Sequence, residues 1–294
     1  MIVVTGGNGK LGRAIVNSLR SRGLSGALAV SVRDAGQAGE LEAMGMKVHQ
    51  ADYENPESLR HAFQGADQIL MVSSNASAHG ADPLVQHRNV IAAAKEAGVG
   101  RVVYTSHMAA SAASAFPPMH THHATELMLR ESGLAWTALR DGFYAGSIVA
   151  MVREGIRGGR IMFPEDGKVS WTAHADLADA AAAILMQPGR FEGPTPPLTA
   201  GEALDLEDIA RIASTVVGHP VRREYISDED MAKRLTSRGL SAVVVEITLG
   251  MFRASRNGEF AKVDPTLAQL LGRPTTSLAD LLAGDLAPAG GSGS

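Results

Sequence analysis

The sequence predicts an α/β protein, a doubly wound parallel sheet with a smaller C-terminal part. Three observations predict it. Short apolar runs alternate with amphipathic helical patterns through the first half of the chain, the signature of repeated strand–helix–strand units. The runs are apolar almost without interruption, as strands covered on both faces are. A glycine-rich segment, Gly6-Gly7-Asn8-Gly9-Lys10-Leu11-Gly12, stands directly between the first run and the first helical pattern.

The first strand is expected at residues 2–5. In the helix after it, Leu11, Ala14, Ile15, Ser18 and Leu19 share one face, and Gly23 can cap its end. A second strand follows at 27–32, a short helix at 40–44 and a third strand at 47–51. Asn55-Pro56 reads as a helix start, with Asn as N-cap and Pro in the first turn. The fourth strand is expected at 68–73, a long helix at 83–97 ending on Gly98, and the fifth strand at 101–106. A helix at 119–132 ends on Gly133 and the sixth strand covers 136–139. Beyond residue 140 the pattern loosens. Helices remain clear at 175–186, 206–217 and 228–238, while the glycine-rich 155–167 and proline-rich 193–197 read as loops. No internal repeat is visible.

Composition narrows the function classes. The chain has 294 residues, enough for one main domain and an appended part. The net charge of -4 argues against a nucleic-acid or anionic-membrane surface. The absence of cysteine excludes disulfides, thiolate nucleophiles and thiolate metal sites. No apolar run approaches the ~20 residues of a membrane span. No secretory leader is expected, because the chain opens directly on a strand, and a cytoplasmic location is the default. Residues 285–294 are expected to form a disordered tail.

The glycine segment satisfies GxGxxG through Gly7, Gly9 and Gly12, and GxxGxxG through Gly6, Gly9 and Gly12. A strand before and a helix after are the context of a dinucleotide-binding turn. Glycine allows the tight turn, lets the backbone approach a pyrophosphate and lets the helix pack closely on the sheet. The phosphates then sit on free N–H groups at the helix N-terminus. Thr5, Gly6, Gly7, Asn8, Gly9, Lys10, Leu11 and Gly12 are therefore the first candidate cofactor residues of a Rossmann-type fold. After the second strand, Arg33 is the first charged residue, which favours NADP(H) by accommodating a 2′-phosphate. Asp34 next to it keeps NAD(H) admissible. Asp52 and Tyr53, after the third strand, are expected near the adenine, with Asp52 either binding it or capping a turn. Ser73, Ser74 and Asn75, after the fourth, should border the cofactor's middle, and Thr105 lies at the end of the fifth.

The fifth strand ends Tyr104-Thr105-Ser106-His107. Ser106 occupies the place of a catalytic Ser that elsewhere works with a downstream Tyr-x-x-x-Lys. Between Ser106 and Gly133 there is neither Tyr nor Lys, so strong acid assistance to an alkoxide is missing. The region instead holds His120, His122 and His123. Their spacing does not put them on one helical face, and no metal is expected. His122 is the candidate proton donor, since an unperturbed His titrates near pH ~6.5. Alternatively it is a structural histidine bonded to backbone or to Glu126, four residues on.

The ordered set Thr5-Gly6-x-x-Gly9-x-Leu11-Gly12, Val32-Arg33, Ala51-Asp52-Tyr53, Gln86-His87-Arg88-Asn89-Val90-Ile91, Tyr104-Thr105-Ser106, His122-x-x-Thr125-Glu126 and Leu139-Arg140-x-Gly142-Phe143-Tyr144 resembles the NmrA-like atypical short-chain dehydrogenases. It looks most like their NADPH:quinone oxidoreductase and triphenylmethane reductase members. The resemblance extends to about residue 282. It implies a Rossmann core at 1–140 that binds NADP(H), a mixed region at 141–284 completing the core and forming a substrate lobe, and a cleft between them. It implies that Phe143 and Tyr144 flank the nicotinamide or the substrate, Phe143 on the cofactor and Tyr144 as a catalytic candidate with His122 and Ser106. Asp141 departs from the Asn frequent in the group, and His123 and Met119 are expected to add polar and soft groups at the site's mouth.

The expectation is hydride transfer from NADPH to a quinone or similar flat electrophile, a dye, imine or enone, whose reduced form is far less basic than an alkoxide. The alternative is an NADP(H)-binding redox sensor without turnover. A third reading is a reductase or isomerase of one biosynthetic intermediate. The expected partner is a small flat acceptor, with no nucleic acid and no membrane. The apolar stretch 240–252 is expected either to cover the site or to pair two copies in a homodimer.

Overall fold

The structure, a computed structural model, describes residues 1–286; eight of the ten residues of the expected tail, 287–294, lie outside the described residues. In chain order the elements are β1 (Ile2–Thr5), α1 (Lys10–Ser21), β2 (Leu28–Val32), α2 (Gly39–Ala43), β3 (Lys47–Gln50), α3 (Pro56–Phe63), β4 (Gln68–Met71), α4 (Pro83–Glu96), β5 (Arg101–His107), α5 (Pro118–Glu131) and β6 (Ala135–Asp141). There follow β7 (Phe143–Tyr144), α6 (Ala145–Arg157), β8 (Arg160–Phe163), β9 (Trp171–Thr172), α7 (His174–Leu185), β10 (Gly193–Pro194), α8 (Leu206–Val217) and β11 (Arg222–Tyr225). Among the described residues four helices follow: α9 (Asp228–Ser237), α10 (Ala242–Arg256), α11 (Thr266–Leu271) and α12 (Leu278–Leu286). Two compact units form, one from Met1–Asp141 with His174–Leu198, the other from Gly142–Ala173 with the described residues from Thr199 on.

The first unit is a seven-stranded sheet in the order β10-β6-β5-β4-β1-β2-β3. Every neighbouring pair is parallel, so helical crossovers cover both faces. The strand order reverses between β1 and β4, the switch point beyond whose carboxyl ends ligands bind in such sheets. The core beside it gathers Leu59, Phe63, Ile69, Met71, Tyr104 and Leu129, all without measurable exposure. Burying each such side chain contributes about 1.5–3 kcal/mol, and Phe63→Ala would cost about 3–5 kcal/mol. Local signals start the helices. Asn55 Oδ1 accepts the Ser58 amide ahead of Pro56, and Asp82 caps α4 ahead of Pro83.

Two expectations need correction. Residues 155–167 are not a loop: α6 runs on through Gly155 to Arg157, and β8 follows. The buried face Ile148, Val149, Val152 and Ile156 holds the helix together. Glycine stands at 155 because a Cβ there would lie 2.6 Å from the Arg160 carbonyl. Within 193–197, Gly193 and Pro194 pair with Thr137 and Ala138 as a seventh, edge strand, where proline's missing N–H is tolerated.

In the second unit β8 pairs with β11 and β7 with β9, each in parallel. Helix α12 packs on α8 and α6, and α10 on α9. Phe143, Trp171 and Phe260 form an edge-to-face cluster with centroids 5.1–5.2 Å from Phe143. Among the described residues no helix is long and apolar enough to cross a membrane.

Candidate functional site

The glycine turn opens the site. Gly6 adopts φ +62, a left-handed conformation that side chains rarely take. At Gly12 a Cβ would come within 2.4 Å of the Gly6 carbonyl oxygen, so only glycine lets α1 start this close to the turn. Gly9 is the N-cap of α1, and no side chain caps that end. The N-terminus of a 12-residue helix is thus left to an anionic ligand. These residues fit the pyrophosphate of a dinucleotide.

A cavity of about 540 Å³ lies beside the turn, walled by Gly6, Asn8 and Gly9, by residues 31–34 after β2, by 51–53 after β3 and by 72–75 after β4. Arg33 is exposed on this wall, with no ion-pair partner among the described residues. Asp34 instead turns back into its own loop: Oδ1 accepts the Gly36 amide at 2.9 Å and Oδ2 the Gln37 side-chain amide at 2.8 Å. Asp52 lines the cavity while its Oδ1 accepts the Glu54 amide at 2.9 Å, so it caps a turn. The Tyr53 hydroxyl donates to the Val72 carbonyl at 2.8 Å and lies 2.5 Å from Thr5 Oγ1. Burial pushes that phenol up.

Several expected contacts become supports. Thr5 has no exposed surface, and its hydroxyl staples β1 to Leu70 and Val72. Thr105, equally buried, accepts the Ser73 amide at 2.8 Å and so props the loop rather than lining the cavity. Leu11 is core and Lys10 exposed at the helix start; Gly7 is buried against Val30.

At the ends of β5 and β6 the side chains pair differently from their sequence spacing. Glu126 does not meet His122. Its carboxylate takes two bonds from Arg140, at 3.1 and 2.7 Å, and the Ser106 hydroxyl at 2.7 Å. Ser106 is thereby buried and committed to a clamp joining β5, α5 and β6. His122 Nδ1 lies 2.8 Å from the Tyr104 hydroxyl. Burial drives the His122 pKa down to about 4, well below the value expected of a free histidine, and pushes the Tyr104 phenol up. Both groups are uncharged at neutral pH. Met119 is buried in the core and adds nothing to a site mouth. Phe143 and Tyr144 belong to the second unit, Phe143 within its aromatic cluster.

Three residues named in the sequence analysis, His107, Asp141 and His87, were given no role or partner there. His107, buried on β5, has its ring 6.1 Å from that of His122, and burial holds it unprotonated. Its register partner on β6 is Asp141, whose carboxyl burial raises well above the usual range. His87 lies fully buried on α4. Its signal was present: residues 83, 87, 90, 91 and 94 form the buried stripe of that helix, and a histidine in such a stripe needs partners.

The model of a family described as NAD(P)H-binding matches residues 6–188. The chain is 34% identical over 281 residues to quinone oxidoreductase 2 of Escherichia coli (strain K12), covering 95% of this chain and 96% of that protein. The crystal structure of an NADPH-dependent quinone oxidoreductase from Escherichia coli, complexed with NADPH, is similar at a TM-score of 0.90 and 32% identity, covering 97% of this chain and 99% of that one. The triphenylmethane reductase of Citrobacter sp., complexed with NADP(H), is similar at 0.89 and 30%, covering 97% and 100%.

Proposed function

The chain belongs to the NAD(P)H-binding NmrA-like family, and from that premise we propose that it reduces a quinone or another flat, electron-poor acceptor such as a dye, imine or enone. It is an NAD(P)H-dependent oxidoreductase, and NADP(H) is its cofactor.

When bound, the reduced nicotinamide supplies a hydride. The chain's residues bind, orient and manage the proton. The glycine turn and the uncapped start of α1 receive the pyrophosphate. Arg33 pairs with the 2′-phosphate, and residues 73–75 border the middle of the cofactor. The Tyr104 hydroxyl lies 2.8 Å from His122 Nδ1; in the tautomer in which Nδ1 accepts from it, the histidine hydrogen sits on Nε2, free to meet an acceptor oxygen.

One observation carries the acceptor class. His122 is neutral on Tyr104, and neither Tyr nor Lys occurs between Ser106 and Gly133. A neutral ring can only hydrogen-bond the acceptor oxygen, with solvent supplying the proton; that suffices for a hydroquinone anion, and a dye cation is neutralised by hydride alone, whereas an alkoxide needs a stronger acid. The test is NADPH oxidation followed by absorbance with a benzoquinone, a naphthoquinone, a triphenylmethane dye and a simple ketone. Turnover with quinones or dye and none with the ketone is expected. Comparable ketone turnover defeats the acceptor class, and tight NADPH binding without any turnover makes the protein a redox sensor.

A further inference from the structure

Helix α4 carries a polar run, Gln86, His87 and Asn89, that neither the glycine turn nor His122 explains. Each member ties down a loop of the cavity wall. Gln86 accepts the Ser74 hydroxyl and donates to Glu54 Oε1 at 3.0 Å. Asn89 donates to the Tyr53 carbonyl at 2.9 Å. His87 Nε2 accepts the Ser74 backbone amide at 2.9 Å. The loops after β3 and β4 are thus fastened to one helix.

The partners of His87 determine where its proton sits. The Thr125 hydroxyl donates to the Thr121 carbonyl at 2.8 Å. It therefore meets His87 Nδ1, 2.8 Å away, as an acceptor, and Nδ1 bears the hydrogen. Nε2 is then a lone pair, as the Ser74 amide requires. This neutral tautomer satisfies every partner at once. A cationic ring would turn an N–H toward the Ser74 N–H. Burial keeps that from happening, holding the pKa at about 3, with His122 also lowering it and Asp82 opposing. The Tyr104 ring closes the remaining side edge-on, at 5.4 Å.

We propose that His87 is a positioning residue for the cofactor: as the Nδ1–H tautomer set by Thr125, it holds Ser74, and with it residues 73–75, in the binding conformation. The inference rests on the reading of this cavity as the NADPH site. Affinity is then governed from behind the wall, through a ring braced on the helix that carries His122.

The test combines tautomer and affinity measurements on the full chain. Long-range proton–nitrogen spectra of histidine-labelled protein should show one ring with hydrogen on Nδ1 and a bare Nε2, assigned to His87 by its loss in His87→Gln. NADPH dissociation constants, measured by calorimetry, should rise about tenfold or more in His87→Leu and in the nearly isosteric Thr125→Val. The KM for NADPH should rise more than kcat falls. His87→Gln, whose amide can accept from Ser74 and donate to Thr125, should recover most of the affinity. An Nε2–H tautomer at His87 overturns the proposal, as do unaltered NADPH constants in folded Thr125→Val and His87→Leu. Should His87→Leu fail to fold, Thr125→Val and the spectra decide. Wild-type protein that binds no NADPH sinks the cofactor reading itself, a result distinct from wild-type binding with unaltered variants.

Discussion

The Tyr104 hydroxyl and His122 Nδ1 stand 2.8 Å apart, joining the middle of a central strand to the first turns of α5. Because burial lowers the His122 pKa to about 4, its charge changes only in acid. The kcat for quinone reduction should be flat between about pH 5.5 and 8, with no inflection near ~6.5. An inflection there that disappears in His122→Ala would contradict this burial. Tyr104→Phe should lower kcat roughly three- to tenfold and leave the KM for NADPH little altered, read from initial rates.

Arg33 should set the choice of nucleotide. Losing a charge-assisted contact costs about 1.5–3 kcal/mol. Arg33→Ala should therefore weaken NADPH by roughly ten- to a hundredfold and leave NADH nearly unaffected. Calorimetric titration of both nucleotides checks it, and parallel losses would show that Arg33 does not face the 2′-phosphate.

Gly12→Ala forces a methyl to within 2.4 Å of the Gly6 carbonyl. Backbone must yield, because no flexible side chain stands in the way. We expect a stability loss of about 1–3 kcal/mol together with loss of NADPH binding. Chemical denaturation and calorimetry on the same sample measure both.

Two groups of buried residues should bend the pH–stability curve in opposite senses. Asp141 has its pKa raised in the folded chain, so the native state keeps a proton that the unfolded chain releases near pH ~3.9. Its contribution falls as pH rises above that value. Asp141→Asn should thus melt several degrees above the parent at pH 8, with the gap closing toward pH 4. His87 and His122 are depressed to about 3 and 4. Their contribution is present above the unfolded value of ~6.5 and is lost as pH falls, by up to about 1.4 kcal/mol per histidine for each pH unit below it. Melting curves from pH 4 to 8 in both proteins separate the two effects; a pH-independent gap would mean Asp141 is ionised when folded.

Much of the sheet was legible because its strands are buried on both faces and its helices obey the 3.6-residue period. Strand β10 was not, since two residues, one a proline, leave no periodic trace. Helix α6 was hidden by Gly155, which reads as a breaker although close packing requires it. The glycine turn could be read because its chemistry is local. His122 could be found but not its partner. Spacing along one helix pointed to Glu126, whereas Tyr104 approaches from another element and Arg140 captures the carboxylate. The pairing of Asp141 with His107 was out of reach for the same reason: strand register makes them neighbours, and register is not written in either segment alone.

The loop after β2 has a consequence for redesign. The carboxylate that a ribose diol would favour is already there, as Asp34, yet each of its oxygens already accepts a donor from its own loop. Beside Arg33, nucleotide choice is expected to depend on whether Asp34 is free to turn toward the ribose as well as on its being an acid. Reversing it would call for unfastening Asp34, by replacing Gln37 with a side chain that cannot donate, rather than for importing an acid.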